Sequence, residues 1–95
     1  MASQNKGDPI LSARIRILVK ELGQLETDID SLPDDADLYA AGLTSQVTVN
    51  LMLALEEEFG VEFPDELLKR RTFASVDAIS HALTGLGAKA AAITS

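Results

Sequence analysis

Between Ser45 and Phe59 the chain runs without a single glycine or proline, and it then meets Gly60. Over that stretch Val47, Leu51, Met52, Leu55 and Phe59 recur three or four residues apart, which lines up one face of an α-helix and not one face of a strand. Thr44 or Ser45 can cap the first turn and Gly60 can close the last, so a helix over Ser45–Phe59 is predicted. A segment of this kind needs partners to cover its apolar face, and the rest of the chain supplies them at the same period.

Asp8 stands where its carboxylate caps free N–H groups, and Pro9 stands where a missing N–H costs nothing. Ile10, Leu11, Ile15, Leu18, Val19 and Leu22 then recur at helical spacing before Gly23. From Gln24 to Leu43 the periodicity stops. Asp30, Ser31, Pro33, Asp34 and Asp35 bring turn chemistry there, while Leu32, Leu38, Tyr39 and Leu43 act as isolated apolar anchors. A loop of that length in a small domain is often functional, and a short helical turn fits around Leu38 to Ala41. Pro64, Asp65 and Glu66 open a short third helix that Lys69, Arg70 and Arg71 close with charges complementing its dipole. A fourth helix begins near Ser75, with Val76, Ile79, Ala82, Leu83 and Leu86 inward and Gly85 and Gly87 weakening its end. The reading is all-α: a four-helix bundle with a long loop between helices 1 and 2 and a short helix 3. One domain is expected over residues 8–87, with flexible ends at 1–7 and 88–95. The chain of 95 residues fits a single core.

Several function classes fall away. There is no cysteine, so the chain has no disulfide, no thiolate metal site and no thiol of its own. The one histidine, His81, has no catalytic partner at a telling spacing. Asp28 and Asp30 hint at a calcium loop, but Pro33 and Tyr39 stand where that loop needs Gly and Glu. The formal net charge of −7 argues against nucleic acid, whose phosphates demand clustered cations. No basic residue occurs between Lys20 and Lys69, so the middle of the chain is an anionic surface suited to basic partners. No membrane span and no secretory apolar run is seen, and a cytoplasmic protein working as a monomer is expected.

On the second helix, Gln46, Val49, Asn50, Leu53, Glu56 and Glu57 form a stripe beside the inward one, mixed polar and apolar, that reads as a docking surface. Glu56, Glu57 and Glu58 crowd the end of that helix, where the dipole disfavours anions, and no cation lies four residues away to offset it. A serine beside a helix start is usually a structural cap. Here Thr44 can cap instead, which frees the Ser45 hydroxyl at the positive end of the dipole, a place suited to an attached phosphate.

The runs Ala36-Asp37-Leu38-Tyr39-Ala40-Ala41-Gly42-Leu43-Thr44-Ser45, Leu51-Met52-Leu53-Ala54-Leu55-Glu56-Glu57-Glu58-Phe59 and Glu62-Phe63-Pro64-Asp65 resemble the acyl carrier protein family. The resemblance spans about Ile10 to Leu86. It implies an acyl-carrier-like bundle in which Ser45 bears 4′-phosphopantetheine, donated by coenzyme A through a phosphopantetheinyl transferase that uses magnesium. The arm then supplies the thiol on which cargo is held as a thioester, and the carrier itself catalyses nothing. Thr44, Gln46 and Asn50 stand where the commonest pattern has Asp, Leu and Glu, and the family uses those three positions to meet partner enzymes, which the docking stripe of Val49, Leu53, Glu56 and Glu57 would join here.

Those departures, with Lys69-Arg70-Arg71 and about two extra residues before Ser75, point away from ordinary fatty-acid synthesis, and the run Ala36 to Leu43 ahead of Thr44-Ser45, with Glu62-Phe63-Pro64-Asp65, Leu67-Leu68, Arg70 and Phe73-Ala74-Ser75, is similar to the bacterial aminoacyl carrier proteins. That narrower resemblance implies loading with an amino acid by an ATP-using ligase similar to a class II aminoacyl-tRNA synthetase. Two alternatives stand beside it. One is a carrier of a specialised fatty, hydroxy-fatty or polyketide chain, served by acyl-transferring enzymes and needing an apolar cavity between helices. The other is an acidic helical adaptor that is never modified.

Overall fold

Leu11, Ile15 and Val19, each four residues after the last, are the buried edge of a helix over Pro9–Leu22, α1. The computed structural model describes residues 9–87. Two further helices, α2 over Ser45–Phe59 and α3 over Val76–Gly85, both pack on α1. The fold is all-α, and the segments between the helices contain only 3-10 turns and bends. Leu51 and Leu55 of α2 and Val76, Ile79 and Leu83 of α3 complete a core to which the loops add Ile29, Leu38, Leu43, Phe63 and Phe73. Ile10, placed on the apolar pattern of the first helix, is exposed, because the buried edge runs through its neighbour Leu11. The expected cap at Asp8 and the segments 1–7 and 88–95 lie outside the described residues.

The long connection from α1 to α2 is held by three kinds of tie. Its buried anchors are Ile29, Leu38 and Leu43, of which Ile29 has no periodic signal around it. The Arg16 guanidinium donates to the carbonyls of Ile29 and Leu32, both at 2.7 Å, and to the Asp34 carboxylate at 2.6 Å. Backbone bonds then fasten the loop to its surroundings: Glu26 N–H to Ala41 O at 2.8 Å, Leu38 N–H to Ala74 O at 2.7 Å, and Asp77 N–H to Asp34 O at 2.9 Å. Asp28, dismissed as a calcium ligand, instead accepts the Asp30 N–H and so opens the 3-10 turn Ile29–Ser31. The expected turn at Leu38 to Ala41 is present as hydrogen-bonded turns running to Leu43. Gly42 sits there at φ 121°, and a Cβ on it would lie 2.8 Å from the Glu26 nitrogen, so only glycine fits.

The predicted third helix is not an α-helix. Residues Asp65–Leu67 and Arg70–Phe73 form two separate 3-10 turns, broken where Leu68 leaves helical dihedrals and Lys69 is extended. The reason lies in the side chains. A continuous helix would bring Leu67 and Arg71 onto one face, whereas the break turns Thr72 and Phe73 into the core and leaves Arg71 outside. The Phe73 ring then meets that of Phe63, with centroids 5.3 Å apart. Lys69, Arg70 and Arg71 consequently open a 3-10 turn and do not close a helix, so the dipole does not account for them.

Candidate functional site

The first turn of α2 divides its two hydroxyls by role. Thr44 is the N-cap, its backbone extended and its side-chain oxygen accepting the Val47 N–H at 3.2 Å. Thr44 O accepts from both the backbone N–H and the hydroxyl of Thr48, which fixes the turn further. Ser45 is therefore the first helical residue; its side chain is exposed and, among the described residues, its hydroxyl has no hydrogen-bond partner. A nucleophilic oxygen placed in this way, at the end of a 15-residue helix, meets the positive end of the dipole without being consumed as a cap.

Ser45 also lies at the edge of a groove of about 270 Å³ between α2 and the Leu68–Phe73 segment. Val49, Met52, Leu68 and Phe73 form its apolar wall. Tyr39, Lys69 and Arg70 line it as well, and the Arg70 guanidinium lies 3.9 Å from the centre of the Tyr39 ring. Tyr39 is set by Asp37, whose carboxylate accepts the Tyr39 N–H at 2.9 Å.

The stripe expected on α2 is present as a solvent face. Gln46, Asn50 and Glu57 are exposed, and the apolar Val49 and Leu53 are each 53% exposed on the same side of the helix. Glu56 departs from expectation. It is half-buried, and its carboxylate accepts the backbone N–H of Phe63 at 2.8 Å. Glu58 pairs with Arg14 on α1. Two of the three glutamates thus have their compensation inside the fold, and Glu57 alone has none among the described residues.

Sequence reasoning did not find the groove. Its walls come from the aperiodic segments around Tyr39 and Leu68, whose meeting with α2 depends on long-range packing. The buried Thr48 carried a local signal, a hydroxyl four residues after Thr44 on an apolar face, and the Lys69–Arg71 run was visible but assigned to a helix end.

A helix start with a free serine beside a groove suits a phosphopantetheine-bearing carrier domain. Residues 14–83 match the family described as phosphopantetheine attachment site, and the chain belongs to it. Membership implies a covalently attached phosphopantetheine and makes the chain a carrier, not an enzyme. Among relatives, the aminoacyl carrier protein of Agrobacterium fabrum (strain C58) is 54% identical over 69 residues, covering 73% of this chain and 83% of that one. A chain in the crystal structure of an engineered Bradyrhizobium japonicum glycine:[carrier protein] ligase, complexed with carrier protein from Agrobacterium tumefaciens and ATP, superposes with a TM-score of 0.75 at 50% identity. It is matched over 96% of its length and 78% of this chain. A chain in the complex of the Bradyrhizobium japonicum ligase with glycylated carrier protein gives a TM-score of 0.66 at 30% identity, covering 77% of this chain and 97% of that one.

The residues fit the group. Ser45, with its exposed and unengaged hydroxyl, is the residue that would hold it, and the helix N-terminus would favour its phosphate. No helix among the described residues is long and apolar enough to cross a membrane.

Proposed function

We propose that this chain is an aminoacyl carrier whose Ser45 hydroxyl bears 4′-phosphopantetheine donated by coenzyme A. The observation that carries the reading is the division of labour at the start of α2: Thr44 caps, and Ser45 is left exposed with its hydroxyl unspent. When attached, the arm supplies the thiol that a chain without cysteine lacks. The chain's own part is to hold that attachment point rigidly and to present the α2 face, with Thr44, Gln46, Val49, Asn50, Leu53 and Glu57, to the enzymes that modify and load it. Glu56 acts behind that face through Phe63.

The amino acid as cargo is supported by the likeness to chains named as, or complexed as, aminoacyl and glycylated carrier proteins. The partners that follow are a phosphopantetheinyl transferase and an amino acid:carrier protein ligase, with the carrier acting as a monomer in the cytoplasm. A second reading, carriage of an apolar acyl chain, is favoured by the apolar wall of Val49, Met52, Leu68 and Phe73.

The test is intact mass after incubation with coenzyme A, magnesium and a broad-specificity transferase, followed by glycine, ATP and a glycine:carrier protein ligase. One arm on the wild type and none on Ser45→Ala, then addition of a glycyl group, is the expected result. No arm with any transferase leaves an unmodified adaptor. An arm that accepts long acyl groups and no amino acid selects the second reading.

A further inference from the structure

A chain with 15 acidic residues and only 8 Lys and Arg offers every cation a choice of anions. The three on the body of α1 take that choice: Arg14 pairs with Glu58, Arg16 with Asp34 and Lys20 with Asp30. Lys69, Arg70 and Arg71 do not, and among the described residues none of them makes an ion pair. Their position at the opening of a 3-10 turn leaves them without a helix dipole to complement. Three adjacent exposed cations without an ion-pair partner among the described residues are open to an anion from elsewhere.

Lys69 and Arg70 line the groove at Ser45, whereas Arg71 lines only a separate hollow, which it shares with Lys69, Glu66 and His81. Arg70 is held over the Tyr39 ring, and none of its N–H groups is taken by an ion pair among the described residues, so they are able to donate. A phosphodiester on the Ser45 oxygen would be an anion at the mouth of the groove that both cations line. Beyond the phosphate, pantetheine has one methylene and then a quaternary carbon bearing two methyl groups, and the wall of Val49, Met52 and Leu68 offers those methyls apolar contact.

We propose that Lys69 and Arg70 form an anion clamp for the phosphodiester of the arm, so that the free carrier keeps its arm laid along the apolar wall instead of loose in water. The inference rests on the reading of Ser45 as the attachment point. The clamp is weak by construction, since both cations are exposed and exposed charges are screened beyond about 8 Å at physiological ionic strength. A partner enzyme can therefore draw the arm out, which a carrier requires.

The experiment uses the full chain carrying the arm, with attachment first verified by intact mass against Ser45→Ala. Phosphorus-31 shifts and cross-relaxation from the arm's geminal methyls to the side chains of Val49, Met52 and Leu68 are then measured at low and high salt. The same is done for Lys69→Gln/Arg70→Gln. Cross-peaks in the wild type at low salt are expected, with a loss of about two- to fivefold in the double variant or at high salt, the range of an exposed charge pair. Unchanged amide shifts far from the groove would establish that the variant keeps its fold. Absence of cross-peaks in the wild type, or cross-peaks indifferent to both variant and salt, overturns the clamp. Absence of cross-peaks together with slower loading of the double variant by a ligase also overturns it and assigns the cations to an acidic patch on the partner. If the mass shows no arm on Ser45, the attachment reading has failed and the clamp fails with it.

Discussion

The Glu56 carboxylate accepts the backbone N–H of Phe63 at 2.8 Å, tying the last turns of α2 to the segment that leaves it. The bond is sheltered, since Phe63 is buried and its ring packs on Phe73. Glu57, the next residue, is exposed and faces solvent. Two adjacent glutamates of one acidic run thus do different work, which yields a prediction. Glu56→Ala is expected to cost about 2 kcal/mol, because it leaves a buried N–H without its charged acceptor. Glu57→Ala should stay within about 0.5 kcal/mol in stability and should slow loading by the ligase. Denaturant midpoints at unchanged slope, set beside loading rates, separate the two. The reverse ranking would mean that the Phe63 bond contributes nothing.

Arg16 gathers three points of the long loop, reaching the carbonyls of Ile29 and Leu32 and the Asp34 carboxylate. Those bonds need the planar fork of a guanidinium, which an ammonium cannot reproduce. Arg16→Lys is therefore expected to lose about 2 kcal/mol and Arg16→Ala somewhat more. Amide hydrogen exchange is the sharper measurement. Ser31 and Leu32, whose N–H groups bond within this turn, should lose protection in either variant while the α2 amides exchange as before. Equal loosening of both regions would show that Arg16 stabilises the whole fold and not the loop.

The helices were legible because their signals are local. Leu11, Ile15 and Val19, then Leu51 and Leu55, then Val76, Ile79 and Leu83 stand at helical spacing, and all eight are buried. The candidate serine was legible for the same reason, since Thr44 beside Ser45 is a neighbour relationship that geometry could only allow or refuse. What the sequence hid depends on distance along the chain. Ile29 anchors the loop with no periodic neighbours, and Arg16 meets Asp34 across 18 positions. The third helix was misjudged because Lys69, Arg70 and Arg71 resemble a helix end, while burial of Thr72 and Phe73 forces the chain to break before them. The glutamates were misjudged because their compensation comes from Phe63 and from Arg14 on another helix.

Thr44 and Ser45 should separate stability from function. Thr44→Ala removes the cap and is expected to cost about 1 kcal/mol, with the arm still accepted at Ser45. Ser45→Ala should leave stability within about 0.5 kcal/mol and abolish attachment altogether. Thr44→Asp keeps a capping oxygen, and its melting temperature is expected to match or exceed that of the wild type. Thermal unfolding and intact mass on the same samples decide it. A Ser45→Ala variant as destabilised as Thr44→Ala would mean that the serine shares the cap.

Ser80 poses the remaining question of stability. It lies within α3 at 1% exposure, and among the described residues its hydroxyl has no hydrogen-bond partner. A buried hydroxyl with no acceptor has given up water for nothing, and serine is also a poorer helix former than alanine. Ser80→Ala removes both costs and one small atom, so it is expected to stabilise the protein by about 1 kcal/mol. For a domain of this size that corresponds to a rise in melting temperature of about 4–8 °C. Attachment at Ser45 should be unaffected, since Ser80 belongs to the core and not to the α2 face. A fall in melting temperature instead would mean that the hydroxyl has a partner in solution, and a buried water bridging it to the helix would be the group to look for.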